Sequence, residues 1–209
     1  MRGDRRLFRD VSFALPPGAL LQLTGANGSG KTSLLRILCG LLSPAGGEVK
    51  WQGTTIQQLA EEYSRNVTYI GHRHGIKEEL SSLENLRISS ALAGFKVGRE
   101  EARAALERLG LAGRENLPAR FLSEGQRRRS ALARLLTCDT TIWLLDEVLA
   151  SLDRAASVLV ESLISEHLDK GGIAVVATHQ ELHISANSFQ RLELESGGAG
   201  PVVPSTPTT

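Results

Sequence analysis

The chain has 209 residues, of which 24 are Lys or Arg, 23 are Asp or Glu, and 41% are hydrophobic. This composition is typical of one globular domain, or of one domain with a small inserted subdomain, and the net charge of +1 argues against a nucleic-acid-binding protein. No apolar run approaches the roughly 20 residues of a membrane span, and Met1-Arg2-Gly3-Asp4 does not lead into a signal peptide. We therefore expect a cytoplasmic chain, unless a partner holds it at a membrane.

Strand and helix patterns alternate along the chain. Apolar runs predict strands over 7–15, 19–23, 46–51, 67–70, 142–145 and 173–177. Helical spacing predicts a helix that ends at Gly40, one or two helices over 82–110 with breaks at Gly94 and Gly98, and helices over 123–137 and 153–168. This alternation predicts an α/β fold with a mainly parallel sheet covered on both faces. From Ser196 onward Gly, Pro, Ser and Thr dominate, which predicts a disordered tail over 196–209.

The strand over 19–23 leads into a glycine-rich stretch that matches G-x-x-x-x-G-K-[ST]. A strand that turns through glycines into a helix leaves backbone N–H groups pointing into one concavity, which suits a polyphosphate. Lys31 would reach the β and γ phosphates, and the Thr32 hydroxyl would ligate Mg²⁺. A glycine-rich turn with a stray lysine is the alternative, but both flanks fit the motif. The predicted nucleotide contacts are Gly25, Ala26, Asn27, Gly28, Ser29, Gly30, Lys31, Thr32 and Ser33.

Polar residues follow three further predicted strands where each strand ends. His72 follows the strand over 67–70, Asp146 and Glu147 follow the strand over 142–145, and His179 follows the strand over 173–177. Because ligands bind beyond the carboxyl ends of parallel strands, we expect one shared site. Asp146 could hold the water shell of Mg²⁺, Glu147 could polarise the attacking water as general base, and His179 could contact the γ-phosphate. The alternatives are a solvated acidic pair and a core imidazole.

Two helix starts carry a second interpretation. Ser123 with Gln126 is a capping-box pattern, and Asp153 is likewise a good N-cap. A capped helix start and an anion site use the same N–H donors, so both interpretations of Ser123 stay open. The arginines at 127–129 are interpreted as a solvated face without a functional role. His72 and His74 without a third ligand make only a weak case for a metal site.

Taken together and in this order, the motifs resemble the ATP-binding cassette (ABC) family over nearly the whole chain, up to about Leu194. The signature usually written LSGGQ is Leu122-Ser123-Glu124-Gly125-Gln126, with Glu124 in place of its first glycine. The Walker B strand ends at Asp146-Glu147, the D-loop is Ala150-Ser151-Leu152-Asp153, and the switch histidine is His179. The resemblance implies an ABC ATP-binding domain over 1–195. Its fold would be α/β, a P-loop NTPase core with a mainly parallel sheet, a small antiparallel β part and an inserted helical subdomain at about 78–138.

The resemblance also implies a mechanism. Two copies would form a head-to-tail homodimer, in which each ATP lies on one P-loop and is capped by Ser123 and Gly125 of the partner subunit. Asp153 would be a further nucleotide contact, and Thr32 and Asp146 would hold Mg²⁺. Glu147, His179 and His72 would act in hydrolysis, which would drive a membrane permease. No nucleic acid is implied as a partner.

A narrower resemblance rests on residues outside these motifs. They resemble the ATP-binding subunit of the cytochrome c maturation system, which implies a haem exporter ATPase at the cytoplasmic face of the bacterial inner membrane, peripheral and bound to a permease. Alternatives are the cassette of another small-molecule exporter, a soluble ABC ATPase acting on DNA or ribosomes, and a non-hydrolytic structural cassette. The residues concerned are Arg2-Gly3-Asp4-Arg5 before Leu7-Phe8, Trp51, Tyr69-Ile70-Gly71-His72, Gly75-Ile76-Lys77 and Leu83-Glu84-Asn85-Leu86.

Three departures from the ABC pattern accompany these matches. Most ABC ATPases carry glutamine where His72 stands, whereas the cytochrome c maturation subunits resemble this chain in having histidine. Val148 replaces the proline that usually follows the catalytic glutamate, which predicts a loss of rigidity with little effect on the chemistry. The family normally has a strand and an adenine-stacking position before Arg2-Gly3, so either the start is misassigned or that strand is absent.

Overall fold

The computed structural model describes residues 7–73 and 75–195, together with the backbone of Gly198–Ala199 and Val203–Pro204. Its centre is a parallel sheet in the order β4 (Val67–Ile70), β5 (Ile142–Asp146), β6 (Ile173–Ala177), β1 (Ala19–Thr24) and β7 (Ser188–Glu195). The short strands β8 (Gly198–Ala199) and β9 (Val203–Pro204) pair antiparallel with β7. A separate antiparallel pair consists of β2 (Lys50–Trp51) and β3 (Thr54–Thr55). The predicted α/β fold with a mainly parallel sheet and a small antiparallel part is confirmed.

The central strands β5, β6 and β1 are mainly apolar because both faces of the sheet are covered. Successive side chains of a strand point to opposite faces, so Leu20 lies in one core cluster and Leu21 in the other, and both are fully buried. One face is covered by α1 (Lys31–Leu38), and the other by α8 (Arg154–Asp169), which contributes Val160, Leu163 and Ile164 to the core. Because the five strands β4, β5, β6, β1 and β7 are parallel, their carboxyl ends lie at one edge of the sheet.

A helical part is inserted between β4 and β5. It consists of α4 (Ser82–Leu92), α5 (Arg99–Arg108), a 3₁₀ turn over Ala119–Phe121, α6 (Glu124–Leu132) and α7 (Arg134–Thr137). A capping box begins α4, where the Ser81 hydroxyl accepts from the Glu84 N–H at 3.2 Å and the Glu84 carboxylate accepts from the Ser81 N–H at 2.8 Å. The two helices predicted over 82–110 correspond to α4 and α5, while the domain boundary at 78–138 stays a prediction.

Some predicted elements differ from the structure. Residues 7–15 form no strand: Asp10 has a left-handed φ of 56°, and Phe8 and Phe13 pack against the core without a strand ladder. The predicted strand over 46–51 shortens to β2, and a helix over 123–137 is interrupted at Ala133. Two single-turn helices, α2 (Ile56–Leu59) and α3 (Glu61–Ser64), and the strand β7 were not predicted.

Two sequence predictions concern residues at the ends of the chain. The segment Arg2-Gly3-Asp4-Arg5 lies outside the described residues, as does most of the predicted tail over 196–209, of which β8 and β9 are the described part. Within 7–73 and 75–195, no helix combines the length and the hydrophobicity that crossing a membrane requires.

Candidate functional site

The P-loop, residues 25–32, connects β1 to α1 at the carboxyl end of the sheet. A side chain at Gly25 would collide with the carbonyl oxygen of Leu194 in β7, and one at Gly30 would meet the Phe8 ring at 2.7 Å. Gly30, with φ 113°, is also the N-cap of α1 and offers no side chain to the first N–H groups of that helix. These donors and the positive end of the helix dipole therefore face the loop and suit an anion.

Three charged or titratable side chains converge on this loop from different strand ends. The Lys31 Nζ donates to the Gly25 carbonyl at 2.6 Å and lies 3.0 Å from His179 Nε2 and 3.9 Å from Glu147 Oε1. His179 Nε2 lies 3.6 Å from Glu147 Oε1 and 3.3 Å from Asn27 Oδ1. The structure therefore brings Asn27, Lys31, Glu147 and His179 together, as the strand-end argument predicts.

A second pair provides oxygen ligands beside the loop. The Thr32 hydroxyl donates to Asp146 Oδ2 at 2.9 Å, and Asp146 is 1% exposed at the end of β5. Mg²⁺ prefers oxygen ligands and is usually bound by one or two protein groups plus phosphates and waters, which this donor set fits. The negative charge of Asp146 also affects a neighbouring side chain. The pKa of Tyr69 is raised above its usual value, mainly by burial and in second place by the charge of Asp146.

Glu147 has an unusual backbone conformation. Its φ of 53° lies in the left-handed region, and its N–H donates to the Ala177 carbonyl of β6 at 2.9 Å. The next residues, Val148 and Leu149, are almost fully buried in the core and anchor the turn, so valine occupies the usual proline position as a core side chain. A non-glycine residue in this region costs about 1–3 kcal/mol, and such residues cluster at functional sites, although Asp10, Gln52, Ala60 and Ser151 share the positive φ.

His72 is exposed at the end of β4 and lines a cavity of about 460 Å³. Thr32 lines the same cavity, together with Arg36, Arg73 and Arg134. The cavity places His72 beside the P-loop helix, but no hydrogen bond among the described residues joins it to Glu147 or His179. His74 lies outside the described residues, so the structure adds nothing to the weak case for a metal site at His72 and His74.

The interpretation of the arginines at 127–129 as a solvated face is wrong. Arg128 is 2% exposed, and its Nη1 donates to the Gly71 carbonyl, next to His72, at 3.3 Å. Burial lowers the pKa of its guanidinium. Arg129 donates to the carbonyls of Leu109 and Gly110. Arg128 thus connects α6 to the end of β4, and Arg129 connects it to the end of α5; neither contact can be predicted from the spacing of the arginines.

The predicted signature and D-loop residues make local contacts of their own. Ser123 is exposed and caps α6 through a capping box, with Gln126 N–H donating to its hydroxyl at 3.3 Å. Asp153 caps α8, accepting from the Ala156 N–H at 2.8 Å. A side chain at Gly125 would meet the Ser151 carbonyl at 3.0 Å. Both N-cap predictions are confirmed, and none of the hydrogen bonds of the described residues joins Ser123, Gly125 or Asp153 to the P-loop.

The family model of the ABC transporter matches residues 8–150. The chain belongs to the ABC transporter family. Two similar relatives are named cytochrome c biogenesis ATP-binding export protein CcmA. The protein from Nitrosospira multiformis is 55% identical over 194 residues, covering 93% of this chain and 94% of the relative. The one from Nitrosomonas europaea is 52% identical, covering 93% and 91%. The narrower resemblance to the cytochrome c maturation subunits is therefore confirmed as well.

Solved ABC structures share the fold. An ATP binding subunit of an ABC transporter matches with a TM-score of 0.83 at 24% identity, covering 97% of this chain and 85% of that one. A dimeric ATP-binding cassette in a post-hydrolysis state, bound to ADP and Pi, matches with a TM-score of 0.82 at 23% identity, covering 95% and 90%. At this identity the likeness concerns the fold alone, and it confirms the ABC ATPase architecture.

Proposed function

We propose that this chain is the ATP-binding and ATP-hydrolysing subunit of an ABC complex acting in c-type cytochrome biogenesis, in haem export or haem delivery. The observation that carries the proposal is the convergence of Lys31, Glu147 and His179 within 3.0–3.9 Å at the P-loop. At the mouth of a phosphate-binding loop, a cation can hold phosphate oxygens, a carboxylate can accept the proton of the attacking water, and an imidazole can contact the γ-phosphate. The relatives named for cytochrome c biogenesis supply the biological process.

The hydrolytic step follows from this arrangement. The P-loop N–H groups and Lys31 would hold the β and γ phosphates of ATP, and Glu147 would accept a proton from the water that attacks the γ phosphorus. As the new P–O bond forms, the bond from the γ phosphorus to the β–γ bridging oxygen breaks, and ADP and phosphate are the products. The His179 imidazole contacts the γ-phosphate and, through Nε2, lies next to the same carboxylate. Thr32 and Asp146 would hold Mg²⁺, which neutralises charge on the β and γ oxygens when bound.

The assembly is part of the proposal. Ser123 is exposed and has no hydrogen bond to its own P-loop among the described residues, so a head-to-tail homodimer would let Ser123 and Gly125 contact ATP on the partner subunit. Asp153, in the D-loop, would lie at the same interface. A membrane permease would hold the complex at the cytoplasmic face of the inner membrane, and nucleic acid has no role.

His72 is proposed to connect hydrolysis to the permease. It shares a cavity with Thr32, and Arg73, Gly75 and residues 77–79, which precede α4 in the inserted helices, are exposed. A neutral imidazole can offer one donor and one acceptor, much as the glutamine amide does. His72 would therefore respond to the nucleotide site on one side and to the permease on the other.

The test of the function is Glu147→Gln. If Glu147 is the general base, turnover falls by about 10²–10⁴-fold while ATP still binds, because the amide keeps the shape of the side chain but cannot take the proton. ATPase rate and nucleotide affinity are measured on the same preparation. The process is tested separately by expressing the wild-type gene and the variant in a bacterium that lacks its own cytochrome c maturation ATPase. Unchanged turnover would remove Glu147 from the mechanism, and a failure of the wild-type gene to restore c-type cytochromes would contradict the assignment to this process.

A further inference from the structure

The loop after β6, residues 178–184, carries His179 and is held by polar side chains from two neighbouring elements. We call it the switch loop. Gln22 in β1 is 2% exposed, and its Nε2 donates to the Gln180 carbonyl at 3.0 Å. Glu161 in α8 is 8% exposed, and its Oε1 accepts from the His183 N–H at 3.0 Å. The two bonds hold the loop backbone at Gln180 and His183, which follow His179 in the chain, whereas β6 precedes it.

The orientation of the Gln22 amide is determined by its two partners. Arg191 of β7 donates through Nε to Gln22 Oε1 at 3.2 Å, and a guanidinium has no acceptor, so an oxygen must face it. The amide nitrogen is then directed at the Gln180 carbonyl, which can only accept. Both ends of the amide are therefore used, and the chain of contacts runs from β7 through β1 to the switch loop.

His179 itself is poorly fixed by packing, since its side chain is 50% exposed. Leu182 and Ile184, further along the loop, are buried in the core and anchor its second half. The half next to His179 is held by three bonds: the Thr178 N–H donates to the Leu23 carbonyl of β1 at 3.2 Å, the Gln180 N–H donates to the Thr178 hydroxyl, and the Gln22 amide donates to the Gln180 carbonyl. Because the Thr178 bond to β1 precedes His179, the contact with Gln22 is the one that ties the backbone after His179, at Gln180, to β1.

We infer that Gln22 is a positioning residue for hydrolysis: by holding the Gln180 carbonyl, it sets the place of His179 relative to Lys31 and Glu147. The sequence contained a signal for this residue, because Gln22 is the polar position within the apolar run 19–23 of β1. A polar side chain inside a fully covered strand is retained only where its hydrogen-bonding groups are satisfied. This inference rests on the proposed ATP hydrolysis.

The first experiment compares ATPase kinetics of Gln22→Leu, Gln22→Glu and the wild-type chain. Leucine removes both contacts, whereas glutamate keeps an acceptor for Arg191 but cannot donate to Gln180. In both variants we expect kcat to fall by about ten- to a hundredfold with KM for ATP unchanged, because a small misplacement of a reacting group affects the transition state and leaves binding intact. Glu193→Gln, two residues along the same strand from Arg191 and exposed, is the matched control and keeps the wild-type rate.

The second experiment separates positioning from general damage. Gln22→Leu is made in a His179→Ala background, where its effect on kcat should vanish, since Gln22 acts through His179. A merely structural role would lower the remaining rate by the same factor in either background. An equal further loss in the His179→Ala chain, or an unchanged kcat in both Gln22 variants, overturns the inference.

Hydrogen exchange provides a measure that does not depend on turnover. Amides of residues 179–183 should exchange faster in Gln22→Leu, while amides of the β1–β6 ladder keep wild-type rates. If the wild-type chain does not hydrolyse ATP, the proposed function fails, and the exchange result alone decides whether Gln22 holds the loop. If Gln22→Leu does not fold, Gln22→Glu and the surface variant Arg191→Met are compared in its place. Unchanged exchange at 179–183 in those variants contradicts the inference.

Discussion

At the scale of single residues, the site depends on the close approach of Glu147, Lys31 and His179, and the backbone of Glu147 adopts an unfavourable conformation there. Glu147 occupies a left-handed conformation, and its carboxylate lies 3.9 Å from the Lys31 ammonium and 3.6 Å from the His179 ring. Because Lys31 has donors and no acceptor, a neutral His179 accepts from it through Nε2. The lysine thus lies between the P-loop carbonyls and the two groups proposed for catalysis, at the position where phosphate oxygens would take over its contacts.

The first prediction concerns His72, which lines the cavity beside Thr32 without a hydrogen bond to Glu147 or His179 among the described residues. If His72 couples hydrolysis to the permease, His72→Ala should keep most of the basal ATPase rate and lose cytochrome c maturation in cells. His72→Gln should keep the ATPase rate, because the amide offers a similar donor and acceptor. Both activities are measured for each variant. Full maturation with His72→Ala would show that this position tolerates any side chain.

At the scale of elements, the structure shows which parts of the fold the sequence could predict. The strands β4 and β6 have the predicted bounds, because a buried parallel strand is a continuous apolar run with a clear beginning and end. The N-caps at Ser123 and Asp153 could also be predicted, because serine and aspartate are preferred at this position of a helix. These elements place the P-loop, Asp146, Glu147 and His179 at one edge, so the shared site was predictable as well.

Other elements depend on contacts that no local pattern contains. Residues 7–15 have apolar side chains at strand-like spacing, but among the described residues no neighbouring strand pairs with them, so they pack as an irregular segment. The strand β7 was missed although Phe189, Leu192 and Leu194 are buried between exposed charges. Its carbonyl at Leu194 explains why residue 25 must be glycine, and its Arg191 orients Gln22. Both facts require the tertiary structure.

The second prediction concerns the junction of β5 and α8. The His167 ring stacks on Trp143 with centroids 3.9 Å apart and planes 5° from parallel, and its Nε2 lies 3.2 Å from the Thr141 carbonyl. Burial lowers the pKa of His167 below its usual value. In the unfolded chain it titrates near its ordinary pKa of about 6.5, so the unfolded state takes up a proton at a higher pH than the folded state. The stabilisation by neutral His167 is therefore complete above about pH 6.5 and is lost as the pH falls below that value.

Chemical denaturation between pH 5 and pH 8 measures this effect. The free energy of unfolding of the wild-type chain should fall toward pH 5, and His167→Phe, which keeps an aromatic ring over Trp143 but cannot titrate, should show a flatter profile. The control is His183→Gln, since His183 is exposed and uses only its backbone N–H in the contact with Glu161. A His167→Phe profile as steep as that of the wild-type chain would contradict the assignment.

At the scale of the whole molecule, the described residues include two groups of predicted nucleotide contacts that no hydrogen bond joins. The P-loop, Glu147 and His179 form one group, and Ser123 and Gly125, at the start of α6, form the other. In the proposed head-to-tail pair, the first group of one copy would meet the second group of the other, and two equivalent sites would result. In such a pair, each site depends on residues from both chains, which makes its composition testable by mixing.

The last prediction is that two inactive variants complement each other. A Ser123→Arg subunit keeps its P-loop, and a Lys31→Ala subunit keeps its signature, so their heterodimer contains one intact site and one site that lacks both. At equal amounts half of the dimers are mixed, and the ATPase rate should reach about a quarter of the wild-type rate per chain if the sites act independently. The control mixes Lys31→Ala with a chain carrying both substitutions, a pairing in which every P-loop lacks its lysine, and it should stay inactive. If equal mixing of the two single variants never exceeds the sum of the parents, Ser123 does not act across a dimer interface, because a site built within one chain gains nothing from a second one.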